Sequence, residues 1–127
     1  MAHEILIVDD EPDIAQLLAE IVEPMASRVD IAENGAVALR HLRERSYSLV
    51  MSDLRMPELD GPGLLRELRG LKLPHPPAVL FITGDTLHHN LESFLDEIGS
   101  PVIEKPFMPG EVRRRVSELM DGRRSQE

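Results

Sequence analysis

Two hydrophobic periods alternate along the chain. Ile5-Leu6-Ile7-Val8 is an unbroken apolar run that stops at Asp9-Asp10, the pattern of a strand buried on both faces. Ile14, Leu17, Leu18, Ile21 and Val22 then recur at helical spacing, with Pro12 in the first turn, where a missing N–H costs nothing. Val29 and Ile31 alternate with polar neighbours and predict a short, half-exposed strand. Asn34 is placed to cap a helix carrying Ala38, Leu39 and Leu42. The alternation repeats: Leu49-Val50-Met51 is a third strand ending at Ser52-Asp53. Leu64, Leu65 and Leu68 mark a short helix after a Gly/Pro-containing loop from Arg55 to Gly63. Ala78 to Ile82 is a fourth strand ending at Thr83. Leu87, Leu91, Phe94, Leu95 and Ile98 form a helical stripe capped by Asp85 or Thr86. Val102-Ile103 is a fifth strand ending at Glu104-Lys105, and Val112, Val116 and Leu119 form the last stripe, with Gly122 as its stop signal.

Five strands alternating with five helices predict an α/β fold, a parallel sheet with helices on both faces. Right-handed crossovers and short connections favour the doubly wound arrangement, in which function sits at the carboxyl ends of the strands. No internal linker, repeat or low-complexity segment interrupts the pattern. One domain is expected over residues 1–121, followed by a disordered tail over 122–127.

Composition narrows the chemistry. The 127 residues carry no cysteine, which removes disulfides, thiolate metal sites and thiol catalysis. The formal net charge of −9 repels nucleic acid. The basic groups Arg113-Arg114-Arg115 and Arg123-Arg124 read as a solvated helix face and tail, so no direct nucleic-acid binding is expected. The N-terminus does not read as a signal peptide and no apolar run reaches membrane-spanning length. No membrane insertion and a cytoplasmic location are the expectations. His88 and His89 are adjacent, point in different directions on a helix, and do not read as a metal pair.

The strand ends are where the polar residues gather. Asp9 and Asp10 follow the first strand, Asp53 the third, Thr83 the fourth and Lys105 the fifth. Each alone is more simply a cap, a turn residue or a surface cation. Together they place three carboxylates, a hydroxyl and an ammonium on one rim of one sheet. Two carboxylates ~4 Å apart repel by about 4 kcal/mol at an effective dielectric of 20, so positive charge must lie among them. Lys105 supplies one charge, and an all-oxygen donor set with room for phosphate oxygens suits Mg²⁺ for the rest. A carboxylate so placed can attack phosphorus and form an acyl phosphate. The charge on the equatorial oxygens is then clamped by Mg²⁺, by Lys105 and by the Thr83 hydroxyl. Asp53, isolated at the centre of the sheet, is the natural nucleophile, and Asp9 and Asp10 are the natural metal ligands.

Four stretches carry a resemblance: Val8-Asp9-Asp10-Glu11-Pro12, Ser52-Asp53-Leu54-Arg55-Met56-Pro57-Glu58-Leu59-Asp60-Gly61, Phe81-Ile82-Thr83-Gly84 and Glu104-Lys105-Pro106-Phe107. They resemble the response-regulator receiver domains of two-component signalling, over nearly the whole chain. The D-x-x-M-P-x-x-D-G segment joined to a downstream K-P-F is the specific part. The resemblance implies a flavodoxin-like (βα)5 fold with sheet order 2-1-3-4-5. It implies Mg²⁺ held by Asp10, Asp53 and the main-chain carbonyl of Arg55, with Asp9 acting through water. It further implies phosphoryl transfer from the phosphohistidine of a histidine kinase or a histidine phosphotransfer domain onto Asp53, Thr83 and Lys105 as the switch pair, changed partner contacts as the output, and no turnover of a free substrate.

Two positions depart from that pattern or extend it. Receivers usually carry Tyr, Phe or His three residues before the lysine, where this chain has Val102, which has no ring to swing and few χ1 options. Arg55 and Asp85, two residues after Asp53 and Thr83, are expected to overhang the site from opposite loops and to pair across its mouth. Two separate exposed charges are the alternative, and even paired they contribute under about 1 kcal/mol. A phosphatase of the haloacid dehalogenase type also uses aspartyl phosphate, but its nucleophile follows the first strand in a D-x-D pattern, and here residue 11 is Glu11. Ser100 to Phe107, with no aromatic at 102, resembles receivers attached to hybrid histidine kinases. A single-domain regulator or a receiver from a larger regulator is the other context.

Overall fold

A computed structural model describes residues 3–54, 59–83, 101–104 and 106–125. The order of elements is β1 (Glu4–Val8), α1 (Pro12–Val22), a single 3-10 turn (Glu23–Met25), β2 (Arg28–Ala32), α2 (Gly35–Glu44), β3 (Leu49–Asp53), α3 (Gly61–Gly70), β4 (Ala78–Thr83), β5 (Val102–Glu104) and α4 (Pro109–Ser125). The five strands form one parallel sheet of order β2-β1-β3-β4-β5. This is the doubly wound topology expected from the alternation of periods. The helix expected over Leu87–Ile98, with His88 and His89 on it, lies outside the described residues.

Strand alternation divides the core into two layers. Ile5 and Ile7 of β1, Leu49 and Met51 of β3, Leu80 and Ile82 of β4 and Ile103 of β5 pack beneath α1 and α4, against Ala15, Leu18, Val22, Val112 and Val116. Leu6, Val8 and Val50 face the other way, toward Ala38, Leu39 and Leu42 of α2 and Leu64 and Leu68 of α3. The unbroken apolar runs of β1 and β3 are thus explained by burial on both faces, each full side chain contributing about 1.5–3 kcal/mol.

The helix starts follow their capping chemistry. The Val37 N–H donates to Asn34 Oδ1 at 2.9 Å, as anticipated for α2. α3 begins earlier than the leucine stripe suggested, because the Gly63 N–H donates to Asp60 Oδ1 at 2.8 Å and Pro62 stands in the first turn.

Two expectations need correction. Leu17 does not belong to the buried stripe of α1: it is 43% exposed, while Ala15, Leu18 and Val22, at i, i+3 and i+7, face the sheet. The C-terminal helix does not stop at Gly122 but runs to Ser125, so the expected tail is helical over most of its length. A glycine within a helix costs only about 1 kcal/mol relative to alanine, too little to end one that its neighbours favour.

Candidate functional site at the carboxyl ends of the strands

Strand register assembles the site. Val8 of β1 is paired with Ser52 of β3, so the residues that follow them, Asp9 and Asp53, stand at the same level on adjacent strands. Asp53 is in turn paired with Ile82, which places Thr83 one step further along β4, and Thr83 is paired with Glu104, the residue before Lys105. Asp9, Asp53 and Thr83 therefore lie on one rim. Lys105, Arg55 and Asp85 are outside the described residues, and with them the expected pair across the site mouth.

The described members divide by burial. Asp9, Asp53 and Thr83 are 3%, 7% and 2% exposed, whereas Asp10 and Glu11 face solvent. The Asp9 backbone N–H donates to the Ala32 carbonyl at 3.1 Å, extending the β1–β2 ladder past its last strand residue. Asp9 Oδ1 accepts from the Glu11 N–H at 2.9 Å, which fixes that carboxylate against the turn into α1. Ser52, buried beside Asp53, donates its hydroxyl to the Asp53 carbonyl at 2.9 Å and is thereby occupied within the strand.

One carboxylate oxygen from each of Asp9, Asp10, Glu11 and Asp53 lies within 4.8 Å of the others. Ionised pairs at that separation repel by about 3.5 kcal/mol at an effective dielectric of 20. A set of hard oxygen donors without nitrogen or sulfur, half of it buried, fits a hard divalent cation such as Mg²⁺, which takes one or two carboxylates and keeps waters. Glu11 was not among the residues read from the sequence as site members. The signal was present in Pro12: a proline at the first helical position makes residue 11 the N-cap, next to the strand end.

Val102 opens β5 half-buried, in register with Phe81, and packs against the small cluster of Leu54, Leu65 and Phe81. The place of the usual aromatic is therefore taken by an aliphatic side chain seated over a buried ring.

The profile of the response regulator receiver domain matches residues 5–117, most of the chain. The chain is a response-regulator receiver domain. Among curated proteins, this receiver is 35% identical over 120 residues to the transcriptional regulatory protein SrrA of Staphylococcus aureus, covering 94% of the receiver and 48% of SrrA. It thus spans about half the length of the curated relatives it matches. Among solved structures, the signal receiver domain of a signal transduction histidine kinase from Syntrophus aciditrophicus is 33% identical, with a TM-score of 0.83 over 95% of this chain and 92% of that one. The CheY-like receiver from Methanospirillum hungatei superposes over the full length of both chains with a TM-score of 0.89, at 24% identity, a likeness of fold. Membership carries with it the role of phosphoryl-accepting signalling module. No helix among the described residues is long and apolar enough to cross a membrane.

Proposed function

We propose that this receiver takes a phosphoryl group onto Asp53 in a Mg²⁺-dependent reaction with the phosphohistidine of a histidine kinase or histidine phosphotransfer domain. The observation that carries the reading is the buried Asp53 carboxylate at the end of the central strand, within 4.8 Å of the carboxylates of Asp9, Asp10 and Glu11.

In the transfer, an Asp53 carboxylate oxygen attacks phosphorus, the O–P bond forms, and the P–N bond breaks with its electron pair returning to the donor imidazole. Bound Mg²⁺ would supply neutralisation of the charge on the phosphoryl oxygens. Asp10 and Asp53 would hold it, with the Arg55 main-chain carbonyl, and Asp9 would act through water. Asp9 is the best-positioned orienting group, because its Oδ1 is already held by the Glu11 N–H. Thr83, on the strand next to Asp53, donates its hydroxyl to a phosphoryl oxygen, and Lys105 pairs with another. Burial of Asp53 excludes water from the side of the carboxylate that faces the sheet, which suits an acyl phosphate that must outlive the encounter. The output is a change of partner contacts, with no free substrate turned over. With a net charge of −9, this chain does not itself bind nucleic acid.

Incubation with Mg²⁺ and acetyl phosphate, read by intact-mass spectrometry, tests the assignment. The chain is expected to gain one phosphoryl group, and Asp53→Asn to gain none. A phosphoryl group retained by that variant refutes the role of Asp53.

A further inference from the structure

Glu11 stands where nothing in its local structure requires a glutamate. It is the N-cap of α1, with φ −96° and ψ 107°, yet its side chain accepts no hydrogen bond from the helix, and Pro12 occupies the next position. Ser, Thr, Asp and Asn are the residues that cap well; a glutamate side chain at this place is free for another task. Its backbone N–H is already committed to Asp9 Oδ1 at 2.9 Å, so main chain and side chain of one residue both address the acidic rim. A carboxylate oxygen of Glu11 lies within 4.8 Å of oxygens on Asp9, Asp10 and Asp53. Unlike Asp9 and Asp53 it is exposed, at the outer edge of the group.

From this placement, and resting on the cation site proposed above, we infer that Glu11 is a fourth carboxylate of that site and sets its cation preference. Mg²⁺ demands near-octahedral geometry, keeps several waters and takes one or two carboxylates, so Glu11 meets it through a bound water. Ca²⁺ accepts six to eight oxygens at longer distances in flexible geometry, so the same side chain closes on it directly. Glu11 thereby raises affinity for the larger ion more than for the smaller.

Calorimetric titration of the full chain with Mg²⁺ and, separately, Ca²⁺ decides this without measuring phosphorylation. Glu11→Gln keeps the size and exposure of the side chain and removes its charge. It is expected to weaken Ca²⁺ binding about tenfold, which is about 1.4 kcal/mol, and Mg²⁺ binding about threefold or less. Asp10→Asn, in contrast, is expected to weaken both ions strongly. Equal losses for the two ions in Glu11→Gln, or no loss for Ca²⁺, overturn the inference, and a strong loss of both ions in Asp10→Asn then leaves the proposed site intact. If Asp10→Asn and Asp53→Asn leave both affinities unchanged, the site itself is misplaced and the role of Glu11 falls with it. Amide fingerprints of the variants without metal establish that each is folded.

Discussion

Tyr47 is the chain's one tyrosine, and its hydroxyl is committed far from the acidic rim. It is buried just before β3 and donates to Asp30 Oδ2 at 2.6 Å, while Arg28 Nε donates to Asp30 Oδ1 at 3.1 Å and a His41 ring nitrogen lies 3.4 Å from the phenol oxygen. Burial pushes the Tyr47 phenol up, and its bond to the Asp30 carboxylate and that group's negative charge push it further. Burial also opposes the charge on Asp30, but the hydrogen bonds from Tyr47 and Arg28 outweigh it, helped by the Arg28 charge, and hold the carboxyl below its usual range. The two shifts act at opposite ends of the pH scale. A depressed carboxyl contributes stability above its ordinary value near pH 4 that is lost as pH falls through the folded value. A raised phenol contributes stability below its ordinary value near pH 10 that is lost as pH rises beyond it. Tyr47→Phe is therefore expected to cost about 1.5–3 kcal/mol in urea unfolding at neutral pH, the range for a hydrogen bond to a charged group. The deficit should shrink above about pH 10, where the wild-type phenol ionises on unfolding, and again in acid as Asp30 protonates. A deficit independent of pH would show that the lost hydroxyl acted only through packing.

Glycines at helix ends show how elements approach one another. A Cβ on Gly35, the first residue of α2, would lie 2.6 Å from the Leu59 carbonyl oxygen and 2.8 Å from Leu59 Cβ. Backbone cannot give way as a flexible side chain can, so Gly35→Ala must displace either α2 or the segment leading into α3. A Cβ on Gly63 would meet Leu59 Cδ1 at 2.6 Å, and Leu59 thus sits against both glycines. Gly70, the last residue of α3, has nothing within 4 Å of such a Cβ. The two substitutions should therefore differ in sign. Gly35→Ala is expected to destabilise by about 1–3 kcal/mol through overpacking. Gly70→Ala is expected to stabilise by about 0.5–1 kcal/mol through helix propensity and a smaller unfolded ensemble. Denaturant midpoints at constant slope measure both. Equal effects would mean that the close approach at Gly35 relaxes without cost.

Across the whole molecule, the switch is the least conventional feature. A phosphoryl group shifts the balance between two arrangements only by its differential interaction with them. Thr83, proposed above to donate to a phosphoryl oxygen, is buried, while Val102 sits over Phe81 with no ring of its own to reposition. The burial of an exposed aromatic, one source of discrimination at the surface of β5 and α4, is absent here. Amide shifts on adding beryllofluoride with Mg²⁺ are therefore expected to be largest around Thr83 and small at Val102 and along α4. Changes at Val102 and α4 as large as those at Thr83 would refute this account.

The sequence by itself determined the class of fold and pointed to the polar residues at the strand ends, because both are written in local signals. Apolar runs ended by acids, helical stripes and a caps-and-proline punctuation located all five strands, and the rule that function lies at strand ends gathered Asp9, Asp10, Asp53 and Thr83 before their separations were known. Asp60 as the start of α3 was readable in principle from Asp-Gly-Pro, but the leucine stripe drew attention further along. What only the tertiary structure decided depends on contacts between distant segments. Periodicity could not tell that Leu17 is turned outward while Ala15 is turned in, since both lie near the apolar arc of one helix and the sheet alone chooses its centre. No local pattern links Asp30 with Tyr47, seventeen residues apart, or Gly35 with Leu59. Glu11 follows the acid pair in sequence, but its nearness to Asp53 comes from register: β1 and β3 stand level, and the turn after β1 is delivered to the rim where Asp53 ends its strand.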